Sequence, residues 1–356
     1  MKKLVYASVA LAAGLAVASA EADVSLVYNN SFAKTDTQTG VIADIWIDRI
    51  QQATQGRVKL RHVSGGALLK AEGTLEGVRK GVADAGAVTI VYHIGELPMS
   101  AALAGSFDVE YGNKLDLMGI SAVTNKLYRE FPEFQKEYAD LGVKPLLFIP
   151  AGQYSLIGRT KISSVMEFKD KKIRAFGSSL PKFFESLGAV PMAISFGELY
   201  TSLQTGVIDS LITNPTAMVP NKLHEVSQFA LTTGPGLGTS MAGCTVAYTM
   251  NLDSWNKIPE GDRKIIERVS AGMMPIAAHI MTEGTAQTYV DLRKHGLEVF
   301  HLSMDDVQQI KSVAPDFFKR EEDRLNERGL PGTQLYARYR ELAEAYASGE
   351  WKPWSF

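Results

Sequence analysis

The sequence predicts an α/β fold in two lobes, and three observations predict it. Strand-like and helix-like segments alternate through most of the chain. No repeat, low-complexity tract or flexible linker divides them, and beyond Pro259 the pattern turns helical for long stretches. Strands alternating with helices imply mostly parallel sheet covered on both faces. Two such lobes without a linker imply a chain that crosses between them more than once.

The elements follow in order. Residues 24–29 form a short β-rich run. Residues 39–54 read as an amphipathic helix, because Ile42, Ile45, Trp46 and Ile50 recur at helical spacing. Residues 57–62 are the next strand, and Gly65-Gly66 breaks the chain before a helix at 72–80. Residues 85–91 read as a buried strand. Further strands are predicted at 144–149, 172–176, 190–194 and 207–212, with helices at 181–187 and 196–205 between them. Long helices follow at 260–294, 305–327 and 334–347.

The first residues stand apart from this pattern. Lys2 and Lys3 precede an apolar run over 4–17, and Ala18-Ser19-Ala20 supplies small residues before Glu21. This is the layout of a secretory leader, with cleavage expected after Ala20 or Ala22 and residues 1–22 removed. The run is shorter than the roughly 20 apolar residues of a membrane span. The single cysteine, Cys244, lies far from the cut, so neither a lipid anchor nor an internal disulfide is expected. The protein is therefore expected free in the periplasm. Lys+Arg 37 against Asp+Glu 39 leaves no excess of basic charge, which argues against a nucleic-acid partner.

Enzyme chemistry finds no support. The six histidines (His62, His93, His224, His279, His295 and His301) are scattered, with no i, i+4 pair for a helical zinc site. Gly238-Thr239-Ser240-Met241-Ala242 lacks the last glycine of a nucleophile elbow. Two Ser-x-x-Lys matches, at Ser31 and Ser179, lack their partner motifs. Acid pairs such as Glu321-Glu322 read as solvated helix faces. No catalytic residue, metal or cofactor is expected.

The stretch from Lys172 to Pro215 carries more information. Arg174 lies within a short apolar strand, with Ile173 and Ala175 on the opposite face by alternation. A buried guanidinium needs a partner, since an isolated buried charge is costly. It either reaches a structural carboxylate or waits for an anionic ligand. After it come Leu187-Gly188-Ala189, Pro191, Glu198-Leu199-Tyr200, Leu203-Gln204-Thr205-Gly206, Val207-Ile208-Asp209 and Pro215. This series resembles the signature of the solute receptors of tripartite ATP-independent periplasmic (TRAP) transporters, a family often labelled dicarboxylate-binding. Residues 77–86 and 251–259 resemble other segments of the same family. The match departs at Asp209 to Pro215, which is one residue longer than the commonest spacing, and Ser210 replaces a glycine.

The resemblance implies a two-lobed periplasmic binding protein fold with mixed sheets flanked by helices and a long helix joining the lobes. Residues 23–151 with 239–278 would form one lobe, 152–238 with 279–330 the other, and 331–356 a C-terminal helical segment. It implies a receptor that binds a small organic acid, performs no chemistry, and delivers its ligand to two TRAP membrane subunits, as a monomer. Arg174 would hold a ligand carboxylate through its planar fork. Asn30, Thr89, Thr213 and Asn214 would offer polar contacts at strand ends. Tyr28, Phe32, Tyr92, Phe176 and Phe196 would supply apolar walls. Counting back from Arg174, Tyr154 stands where some members carry a second arginine. A receptor for an ATP-driven importer or for a membrane sensor would share this architecture.

Overall fold

Periodicity in the sequence resolves into two sheets in the computed structural model, which describes residues 23–106, 115–151, 154–232, 243–313 and 316–353. The expected leader, Gly152, and the lobe boundary at Gly238 and Thr239 lie outside the described residues. In chain order the described strands are β1 (Val24–Asn29), β2 (Val58–Val63), β3 (Ala85–Thr89), β4 (Val143–Ile149), β5 (Ser155–Gly158), β6 (Lys172–Arg174), β7 (Val190–Met192), β8 (Ser210–Thr213), β9 (Phe229–Thr232), β10 (Val246–Asn251) and β11 (Glu298–His301). One sheet has the order β2-β1-β3-β10-β4, the other β11-β9-β5-β8-β6-β7.

Both sheets are mixed, which corrects the mostly parallel arrangement that alternation alone implies. β1 runs parallel to β2 and β3, while β10 lies antiparallel to β3 and β4. In the second sheet β6 is parallel to β7 and β8, β9 is parallel to β11, and β5 is antiparallel to β8 and β9. The reversed strands, β5 and β10, are those the chain enters directly from the other sheet. A strand entered that way needs no crossover helix to return the chain to its starting edge.

Helices cover the sheets. Ile42–Ala53 buries Trp46, Ile47 and Ile50 against the first sheet, and the Trp46 indole donates to Ser270 Oγ at 2.9 Å. That serine belongs to the helix Glu260–Lys294, 35 residues long, or about 50 Å at 1.5 Å per residue. Its Ile266, Met273, Met274, Ala277 and Met281 pack on the first sheet. Its Leu292 packs on the second, so one rigid element spans both lobes. No helix among the described residues is long and apolar enough to cross a membrane.

The C-terminal helices differ from expectation in two respects. The stretch read as one helix over 305–327 contains two, Met304–Val313 and Phe317–Glu327, and Pro315, which lacks a backbone donor, falls between them. The second of these was expected wholly in the second lobe. Phe318 and Leu325 instead join the first lobe's core beside Leu335, Tyr336 and Tyr339, and only Phe317 packs with the second. The Phe318 ring lies 4.9 Å from that of Tyr336 and 5.2 Å from that of Tyr339, so aromatic packing against the last helix draws it across.

Candidate ligand-binding site

Strand direction decides where the site falls. Parallel strands of an open α/β sheet present their carboxyl ends, and the loops after them, on one edge. In the first sheet that edge carries the ends of β1, β3 and β4, and Val246 at the start of reversed β10 pairs with both Thr89 and Ile149. In the second it carries the ends of β6 and β8, and Ser155 at the start of reversed β5 pairs with Thr213. The chain passes from Ile149 to Ser155 with five residues between, so the two edges must face each other. Between them lies a cavity of about 450 Å³, its mouth included.

Arg174 sits at the end of β6 and reaches this cavity while remaining 2% exposed. Its Nε donates to Ile194 O at 3.2 Å and its Nη2 to the Tyr92 hydroxyl at 3.2 Å. A third contact, Nη1 to Ile212 O at 3.5 Å, is too long to hold much energy. Its guanidinium carbon lies 4.5 Å from the centre of the Phe176 ring, a stacking arrangement that suits a planar cation. No carboxylate among the described residues pairs with it. A guanidinium carries five N–H donors, so at least two remain for a partner from the cavity.

The aromatic walls come from both lobes. Phe32 meets Phe196 edge-on at 4.6 Å, Tyr92 meets Phe176 at 6.5 Å, and Tyr154 lies 5.4 Å from Phe176. All five line the cavity. The Tyr154 hydroxyl is held by Thr245, and burial raises its pKa, so it stays a neutral phenol. Thr213 and Thr89 also line the cavity, and Thr89 Oγ1 is buried without a hydrogen-bond partner. Asn214 lines it too, but its oxygen accepts from Thr216 Oγ1 and Ala217 N. Its amide donates across the cleft to Gln38 Oε1 at 3.2 Å, so this side chain caps a turn and joins the lobes while one amide N–H remains.

Two residues expected near the ligand lie elsewhere. Asn30 does not line the cavity: its Oδ1 turns back to the Phe32 backbone N–H at 2.9 Å. Tyr28 is fully buried in the first lobe's core, among Trp46, His62 and Tyr248. Arg159, the nearest other arginine to Tyr154 in sequence, is exposed. Arg174 is the one cationic side chain among the described residues that line the cavity.

The structure adds a group that sequence reasoning missed. Asp36, Gln38 and Thr39 line the cavity from the loop and turn before the first helix. Asp36 is 3% exposed and caps the turn, accepting from Thr39 N at 2.9 Å and Thr39 Oγ1 at 2.7 Å. Burial pushes its carboxyl above the ordinary value, against the pull of the Thr39 hydroxyl and the Thr39 and Gln38 N–H groups. An aspartate three residues before a threonine at a helix start is a capping signal, and this one was legible as such.

Two lobes closing on a cavity with one arginine, aromatic walls and neutral polar edges define a solute-binding protein. The chain belongs to the bacterial extracellular solute-binding proteins, family 7, whose family model matches residues 29–322. That family consists of receptors, not enzymes, and the family resemblance carried by residues 172–215 holds. A solute-binding protein of Albidiferax ferrireducens is 23% identical over 278 residues, 74% of this chain and 75% of its own length. A TRAP solute-binding protein of Rhodoferax ferrireducens, solved with copurified benzoate, superposes with a TM-score of 0.79 at 19% identity, covering 92% of this chain and 99% of its own. Another, from a marine metagenome and solved with 3-hydroxybenzoate, gives 0.80 at 19% identity, over 91% and 99%. These likenesses share the two-lobed fold.

Proposed function

We propose that the protein is a periplasmic receptor that captures a small organic acid bearing one carboxylate and delivers it to TRAP membrane subunits. The leader over 1–22 would be cleaved after Ala20 or Ala22, and the mature chain would act as a monomer. The observation that carries this reading is Arg174: a buried guanidinium over the Phe176 ring that lines the cavity and has no carboxylate partner among the described residues. A ligand carboxylate would complete it as a bidentate pair. Benzoate and 3-hydroxybenzoate in two structural relatives fit the same chemistry of one carboxylate on a compact ring. Thr213 and Thr89 would meet the rest of the ligand, with Tyr92, Tyr154, Phe176 and Phe196 as walls.

The single carboxylate follows from charge. Tyr154 is neutral where a second arginine would stand, and no other cation lines the cavity among the described residues. A second buried carboxylate would go uncompensated, at a cost of several kcal/mol. Calorimetry with matched mono- and diacids is therefore expected to show tighter binding of a monoacid. Tighter binding of succinate-like diacids than of every monoacid tested would contradict the proposal.

Closure is the second expectation. Phe32 on Phe196, Asn214 to Gln38 and Arg174 to Tyr92 all bridge the lobes beside the cavity. These few contacts can break and reform as a hinge opens. Small-angle scattering should give a smaller radius of gyration with saturating ligand than without. An unchanged radius would mean that the lobes do not close on ligand.

A further inference from the structure

The cavity holds a buried guanidinium and a buried carboxyl group that do not pair with each other. Arg174 enters from the second lobe and Asp36 from the first, and both are nearly inaccessible. The guanidinium makes its protein contacts to Ile194, Ile212 and Tyr92. The Asp36 carboxylate takes both Thr39 hydrogen bonds on Oδ1, and the Gln38 N–H also faces it. A carboxylate offers about four lone-pair positions, so at least one acceptor position remains without a protein donor. No cation among the described residues pairs with this acid. A buried acceptor left without a donor is costly, and a ligand that satisfies it is favoured over one that does not.

The turn around Asp36 is built tightly enough to fix it. A Cβ on Gly40 would lie 2.1 Å from the Lys34 carbonyl oxygen, so the segment folds back on itself with no room to spare. The same turn sends Gln38 across to the second lobe's Asn214. Asp36 is thus held at the seam where the lobes close, on the opposite lobe from the arginine.

We infer that Asp36 is a specificity-determining residue that accepts a hydrogen bond from a donor group on the ligand, on the part of the molecule remote from its carboxylate. The ligand is then an acid with two ends that the two lobes read separately: Arg174 reads the carboxylate, and Asp36 reads a hydroxyl or N–H. This rests on the carboxylate reading of Arg174 and refines it. An acid lacking the donor would leave Asp36 buried and unsatisfied on closure.

The test is calorimetry on the mature protein with acids that differ by one donor. Benzoate is compared with 2-, 3- and 4-hydroxybenzoate, and cyclopentanecarboxylate with its 3-hydroxy derivative. At least one donor-bearing acid should bind roughly ten- to a hundredfold more tightly than its parent, the range for a hydrogen bond to a charged group. Asp36→Asn keeps an oxygen for the Thr39 cap and puts an amide where the acceptor stood. It should abolish that preference, the donor-bearing acid then binding no more tightly than its parent. Asp36→Ala, a second variant checked for folding by circular dichroism, should abolish it as well. A preference that survives in both folded variants, or no donor-bearing acid exceeding its parent in wild type, overturns the inference while leaving the Arg174 reading intact. Binding that Arg174→Ala leaves unchanged, or a panel in which no acid binds, overturns the carboxylate reading and this inference with it.

Discussion

Replacing Arg174 with alanine is expected to weaken ligand binding by about 2–5 kcal/mol, the usual cost of truncating one partner of a buried charge pair. Arg174→Lys should recover only part of the loss, because an ammonium cannot match two carboxylate oxygens in a plane. The variant should remain folded. In the ligand-free protein the guanidinium has no anionic partner among the described residues, so its removal strands no buried carboxylate. Its lost contacts are two hydrogen bonds of 3.2 Å to neutral groups and the stacking on Phe176. The expected signature is a nearly unchanged melting temperature without ligand and a lost ligand-induced shift. In wild type, a ligand at 100 times its Kd adds roughly 2.7 kcal/mol. A structural arginine would give the reverse: a lower melting temperature and normal affinity.

Gly40→Ala is expected to damage stability and binding together. Its Cβ would meet the Lys34 carbonyl oxygen at 2.1 Å and that of Ala33 at 2.9 Å, and backbone oxygens cannot swing aside as a flexible side chain would. Overpacking of this kind costs typically 1–3 kcal/mol, sometimes more. At about 2–4 °C per kcal/mol for domains of 150–250 residues, the melting temperature should fall by several degrees. The displaced turn carries Asp36, Gln38 and Thr39 to the cavity, so affinity should fall as well. Gly272→Ala is the control. It lies inside the long helix with nothing within 4 Å of the added carbon, and alanine is the better helix former by about 1 kcal/mol. Its melting temperature should hold or rise. Equal behaviour of the two variants would mean that the turn is free to relax.

What the sequence disclosed depended on how each residue announces itself. The helix Ile42–Ala53 was legible from its 3.6-residue spacing, and Arg174 from a charge set against apolar neighbours in a strand. Strands β5, β9, β10 and β11 were not; every residue in the first three is buried. Such strands show no alternation, and short apolar runs cannot be told from helix segments by period. Tyr154 was reached by counting back from Arg174 to a place where some family members carry an arginine, and Tyr92, Phe176 and Phe196 as walls that the resemblance implies. Tyr28, expected as a wall, points inward to Trp46 and Tyr248, and Asn30, expected as a polar contact at a strand end, turns its oxygen back to its own loop. Asp36 went unnoticed for a different reason. Its importance comes from burial at the seam of two lobes, which no local pattern encodes.

The central claim is that Arg174 receives the ligand's carboxylate between the closed lobes. A crystal structure of the mature protein with a monoacid that it binds tests this most directly. Both carboxylate oxygens are expected within hydrogen-bond distance of the Arg174 guanidinium, with the rest of the molecule against Tyr154 and Phe196. A ligand whose carboxylate lies elsewhere, with Arg174 turned to protein groups alone, would contradict it.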